Sequence, residues 1–163
     1  MNDPFATLGL PATMDLDAAT LEARYLALSL ATHPDRHAGA DAATQDEVLT
    51  RAAALNDAYR VLRDPWSRAR TLCERLAPGA LDAHAKLGPD FLGAAMELAE
   101  DVAHCAPAAL PALAARIDAG LAEYLARVRD ALDRGDGVHA ARLLQEVRYW
   151  QKARADLRTR QSA

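Results

Sequence analysis

The sequence predicts an all-α fold, and three observations carry that prediction. Ala, Leu and Arg dominate the 163 residues, and these are strong helix formers. Aromatics make up only 5% of the chain and Val and Ile are few, so the usual material of a β-sheet is missing. Apolar residues recur at helical spacing along most of the chain. The length suits one domain or two small ones.

Asp3-Pro4 reads as a helix cap followed by proline at the first helical position. Phe5 and Leu8 then share a face, and Gly9-Leu10-Pro11 stops the turn. Asp17 caps a second helix, with Leu16 and Leu21 spaced as a hydrophobic staple. Its inner stripe is Leu21, Tyr25 and Leu28. It ends near Thr32, because the chain ahead of Pro34 is pushed out of the α region. A loop at 36–41 leads to a long helix from about Thr44 to Leu62, with Val48, Ala52, Leu55, Tyr59 and Leu62 on one side. Asp64-Pro65 breaks it, and a shorter helix runs to about Leu76. Ala77-Pro-Gly-Ala80 and Gly88-Pro89 mark a linker. Three helices follow, at about 90–105, 108–134 and 137–160. The middle one carries the stripe Leu113, Ile117, Leu121, Tyr124 (or Leu125), Val128 and Leu132. Gly135-Asp136-Gly137 is a tight turn that makes the last two helices antiparallel. The expected domains are therefore 1–76, a linker at 77–89, and a three-helix bundle at 90–163.

Composition narrows the function. No stretch approaches the roughly 18–20 apolar residues of a membrane span. The opening "MNDPFATLGL" lacks the basic start of a secretory signal. Cys73 and Cys105 match no metal or redox spacing. They are expected as free thiols in helices, buried as small apolar groups, which suits a reducing cytoplasm. Residues 1–77 hold 8 basic and 11 acidic side chains, and residues 78–163 hold 11 and 12. Neither half is a basic patch, so nucleic acid is not an expected partner.

The stretch "ATHPDRHAGA" (31–40) has the most unusual chemistry. His33-Pro34-Asp35 could be a plain polar turn ending a helix. A metal site would need His33 and His37 together on a helix, which Pro34 breaks, and further ligands that are not nearby. A catalytic pair of His33 and Asp35 would need a nucleophile and a pocket, and Ser29 and Thr32 are the only near hydroxyls.

The surroundings of this stretch resemble a J-domain, the module that stimulates the ATPase of DnaK-class chaperones. "FATLGLP" (5–11) precedes a helix with Tyr25 and Leu28, and "LNDAYRVLRDPWSRA" (55–69) follows the loop. Asn56, Ala58, Tyr59, Leu62, Asp64, Pro65 and Arg68 stand in the family's order. The resemblance implies that His33, Pro34 and Asp35 trigger hydrolysis on the partner, flanked by the basic Arg24 and Arg36. The second helix departs from the family pattern. Arg24 is its only base, Leu30 stands where a base is expected, and Thr32 stands where an aromatic often precedes the histidine.

A J-domain followed by a linker and a small helical bundle is similar to the HscB-type co-chaperones. "FATLGLP" and "FLGAAMELAEDV" (91–102) both resemble that family. It delivers an IscU-type iron–sulfur scaffold to the chaperone HscA. The helix at 90–105 can also be read from its own residues. Phe91, Ala95, Leu98 and Val102 fall on one narrow inner stripe, while Leu92 and Met96 lie well off it with Gly93, Glu97, Glu100 and His104. Apolar anchors beside carboxylates suit a protein-binding patch. In the last helix Ala140, Leu143, Leu144, Val147, Trp150 and Leu157 share a broad face, and Tyr149 points the other way. The resemblance implies a scaffold-binding set of Leu92, Met96, Glu97, Glu100 and Tyr149, with Gly93 and His104 as departures from its pattern.

The expected protein is thus an adaptor with no active site, no cofactor and no bound metal. Its expected partners are HscA and an IscU-type scaffold, with neither membrane nor nucleic acid. A J-protein with another client is one alternative. A small helical enzyme using His33 and Asp35 is another.

Overall fold

The computed structural model describes residues 3–33, 39–83 and 87–162, and among these every regular element is helical. The chain divides into two compact units, Met1–Leu72 and Cys73–Ala163.

In the first unit, α1 spans Pro4–Leu8. The Asp3 carboxylate accepts from the Phe5 amide at 3.0 Å, and Gly9 ends the helix in a left-handed conformation (φ +62°) that suits glycine. α2 spans Ala18–Ala31 and ends at Thr32, as expected from Pro34. Its cap is Asp17, whose carboxyl is held below the ordinary 3.8 by the Thr20 hydroxyl and then the Thr20 amide. α3 spans Ala42–Arg63. It starts two residues before Thr44, because Asp41 caps it and accepts from the Thr44 amide at 2.9 Å. α4 spans Pro65–Leu76, with the Asp64 carboxylate accepting from the Ser67 amide at 2.7 Å.

The inner faces follow the predicted stripes. Phe5, Leu8, Leu21, Val48, Leu55 and Leu62 are buried, while Tyr25, Leu28, Ala52 and Tyr59 are half-buried. Met14, Ala58 and Ala69 join the buried set. Arg68 is also buried. It donates from Nε and Nη2 to the Leu62 carbonyl (2.9 and 2.7 Å) and from Nη1 to the Met14 carbonyl (2.7 Å). Leu62 lies in the last turn of α3, where carbonyls lack intrahelical partners, so the guanidinium does the work of a C-cap.

The second unit takes in the end of α4 and three further helices. These are α5 (Pro89–His104), α6 (Leu110–Asp133) and α7 (Gly137–Gln161). α6 begins later than the expected 108. Pro111 has no amide to donate and is confined to the first turn of a helix, so residues Pro107–Ala109 form a 3₁₀ turn instead. Gly135 (φ +74°) makes the turn into α7, whose cap Asp136 accepts from the His139 amide at 3.0 Å.

Leu98 and Val102 of α5 cluster with Leu113 and Ile117 of α6 and Ala153 and Leu157 of α7. Arg160 closes the end of α5 by donating to the carbonyls of Val102 and Cys105, the latter at 2.9 Å. Cys73 is buried, as expected, forms no disulfide among the described residues, and its thiol donates to the Gly137 carbonyl at 3.3 Å. Cys105 forms none either, but it is the C-cap of α5 and only half-buried.

Two glycines of this unit are close-approach positions. A Cβ on Gly137 would lie 2.8 Å from the Ala77 Cβ and 2.9 Å from the Leu76 Cβ. A Cβ on Gly120 would overlap the indole of Trp150, with Cε3 at 2.6 Å. Gly→Ala within a helix ordinarily gains about 1 kcal/mol. At Gly120 the overlap costs about 1–3 kcal/mol, so Gly120→Ala is expected to lower the denaturation midpoint. Trp150→Phe in that background should recover part of the loss. Gly93→Ala, with nothing within 4 Å of the added carbon, should raise the midpoint instead.

Candidate functional site

The hairpin of α2 and α3 is clasped by one tyrosine. The Tyr25 hydroxyl donates to Asn56 Oδ1 at 2.7 Å, and its ring stacks on Tyr59 with centroids 4.3 Å apart and planes 18° apart. The Arg63 guanidinium lies over the Tyr59 ring, 5.8 Å from its centroid. At the far end of α2, the Thr32 amide and hydroxyl both donate back to the Leu28 carbonyl at 3.0 Å. His33 follows and is exposed. Pro34, Asp35 and Arg36, named in the sequence reading as partners of His33, lie outside the described residues.

Arg24 sits elsewhere. Nine residues before His33, it stands about 13 Å back along the helix axis. Its Nε donates to the Leu8 carbonyl at 2.9 Å, and Nη2 would be 2.8 Å from a Cβ on Gly9. Arg24 therefore ties α2 to the end of α1 while its residue stays exposed. Sequence reading missed this bond, since no spacing rule links positions 16 apart.

The second candidate surface is the outer side of α5. Leu98 and Val102 are buried and Phe91 and Ala95 half-buried, so the core stripe is where the periodicity puts it. Leu92 and Met96 are exposed, at 38% and 66%. Gly93, Glu97, Glu100 and His104 are exposed on the same helix. The His104 Nδ1 lies 3.1 Å from the Glu100 carbonyl, so the ring folds back along its own helix.

Tyr149 reaches this surface from α7. Its residue is 42% exposed, and its ring meets Phe91 edge-on, with centroids 5.5 Å apart and planes 82° apart. That is a favoured aromatic geometry. Phe91 is the neighbour of Leu92, so the contact brings Tyr149 beside the α5 face. The role of Phe91 as a buttress was not read from the sequence, which marks it only as a core position.

Among the described residues no three His, Cys, Asp or Glu side chains gather where they could hold a metal ion. No helix among them is long and apolar enough to cross a membrane.

The chain is similar to known proteins in both of its units. The model of the DnaJ domain matches residues 3–71. The model described as the HSCB C-terminal oligomerisation domain matches residues 87–158. The co-chaperone protein HscB homolog of Bordetella parapertussis is 36% identical over 160 residues, covering 96% of this chain and 94% of its own. The chain belongs to the HscB co-chaperone family. The HscB homolog of Vibrio cholerae is 31% identical over 162 residues, 94% of this chain and 93% of its own. Among solved structures, chaperone HscB from Vibrio cholerae is similar with a TM-score of 0.81 and 29% identity, covering 99% of this chain and 98% of its own. Human co-chaperone protein HscB shares the fold, with a TM-score of 0.87 at 24% identity over 98% and 82% of the two chains. The first unit of this HscB-family chain is thus a J-domain, and the all-α architecture is that of the family.

An exposed residue and a core residue should differ in energetic role. Tyr149→Ala loses one aromatic pair, worth about 0.5–1.5 kcal/mol beyond area burial, at a residue 42% exposed, and is expected to cost less than a core truncation. Ile117→Ala, at a fully buried site, should cost about 2–5 kcal/mol. Urea denaturation of the two variants checks the difference.

Proposed function

We propose that this protein holds an IscU-type iron–sulfur scaffold on its C-terminal bundle and delivers it to a DnaK-class chaperone of the HscA type, whose ATPase its J-domain stimulates. The division of labour is 1–76 for the chaperone and 90–163 for the scaffold, joined by 77–89, and the work is cytoplasmic. The observation that carries the reading is the exposed Leu92, Met96 and Tyr149 set among Glu97 and Glu100, on a chain whose other unit is a J-domain.

Each surface has a physical part. Pro34 restricts the loop backbone before binding, which lowers the entropic cost of docking. Asp35 accepts charge-assisted hydrogen bonds from an arginine of the chaperone, and His33 and Arg36 flank it. Arg24 contributes positive charge midway along α2 while holding Leu8. On the bundle, Leu92, Met96 and Tyr149 are the apolar anchors and the two glutamates set polarity at the rim. Holding both partners on one chain raises the scaffold's effective concentration at the chaperone.

His33→Gln should leave helicity and scaffold binding unchanged and abolish chaperone stimulation in single-turnover ATP hydrolysis; full stimulation by this variant would sink the trigger assignment. Leu92→Ser with Met96→Ser and Tyr149→Ala should weaken scaffold binding at least about tenfold, read by calorimetry, with stimulation by the protein alone unchanged. Gly93 leaves open space where a larger side chain would stand, and this observation favours a second reading in which the client is a different protein. Wild-type binding to that client and not to the scaffold would select it.

A further inference from the structure

The helices of the described residues hold glycine at positions 93, 120 and 137. Helices disfavour glycine more than any residue but proline, so each position calls for a reason. Gly120 makes room for the Trp150 ring, and Gly137 lies against Ala77 and Leu76. Gly93 has no such neighbour. It stands one turn into α5, its backbone is not left-handed, and a Cβ placed on it meets nothing within 4 Å. The fold gains nothing from the missing side chain. At about 100° per residue, position 93 lies opposite the core stripe of Phe91, Ala95, Leu98 and Val102, at the centre of the outward face. Leu92 and Met96 flank it on one side and Glu97 on the other, and all three are exposed. The result is a notch in an otherwise occupied face, with apolar groups along one wall. Its floor is helix backbone, whose polar groups are already bonded within the helix, so an apolar group can stand there without stranding a donor or acceptor.

We propose that the notch at Gly93 determines which scaffold is held: the scaffold seats one large apolar side chain over Gly93, against Leu92 and Met96. The inference rests on the reading that this face of α5 holds the scaffold, and it adds the shape the scaffold must present. The unbranched Met96 can adjust its rotamer to close on the incoming side chain. Its consequence is selectivity. A scaffold with a small residue at this point leaves the notch empty and forfeits the contacts of its walls, and one with a charged residue there must also strip that charge of water.

The test is calorimetric titration of the full-length protein with the IscU-type scaffold, beside urea denaturation of the same variants. Stability and binding should move in opposite directions. Gly93→Ala should raise the denaturation midpoint and yet weaken scaffold binding about fivefold. Gly93→Leu fills the notch and should weaken binding at least about tenfold. Both should leave chaperone stimulation by the protein alone unchanged. Unchanged or tighter binding by Gly93→Leu means that nothing enters the notch and overturns the proposal; if the variant with Leu92→Ser, Met96→Ser and Tyr149→Ala still binds weakly, the face itself stays assigned. A lowered midpoint in Gly93→Ala assigns the glycine to the fold and overturns the proposal as well. Failure of the wild type to bind the scaffold overturns both the notch and the reading it rests on.

Discussion

What the first unit can present depends on the clasp between α2 and α3. Two helices joined at one end by a loop could slide or splay. The bond from Tyr25 to Asn56 and the stacked Tyr25–Tyr59 pair fix their register, and a fixed register fixes where α2 ends. Thr32 closes the helix and His33 leaves it at a defined point. Arg68 secures the opposite end, where its guanidinium satisfies the Leu62 and Met14 carbonyls inside the protein. Paired on three bonds, that buried cation is tolerated.

The richness in alanine acquires a purpose in this fold. Ala58, Ala69, Ala131, Ala140 and Ala141 are all buried, and small residues let helices approach one another closely. Gly120 takes the same logic further and leaves room for the Trp150 ring. Of the large apolar residues, Leu26, Leu30, Leu49, Leu76, Leu92, Met96, Val138 and Tyr149 are exposed.

The helices were legible because their signals are local. Asp3 and Asp17 act as caps, and the periodic stripes of α3, α5 and α6 point inward as spaced. The start of α6 was missed because Pro111 governs it from inside the first turn. Outward faces were legible by subtraction: Tyr149 and Met96 had to lie away from the core once the stripes were drawn. Contacts between distant side chains were not legible. Nothing in the sequence says that Arg24 reaches Leu8, that Phe91 supports Tyr149, or that Gly120 faces an indole. Arg68 could be matched to a motif, but its burial shows only once Leu62 and Met14 are brought together.

One chain is proposed to couple a chaperone trigger to a scaffold clamp. Single-turnover ATP hydrolysis by an HscA-type chaperone, with this protein present and an IscU-type scaffold added or omitted, tests it most directly. Coupling predicts stimulation by the protein alone and a further rise when scaffold is added. Stimulation that the scaffold leaves unchanged, while a general DnaK responds equally well, would contradict the coupling and reduce the protein to a J-domain with another client.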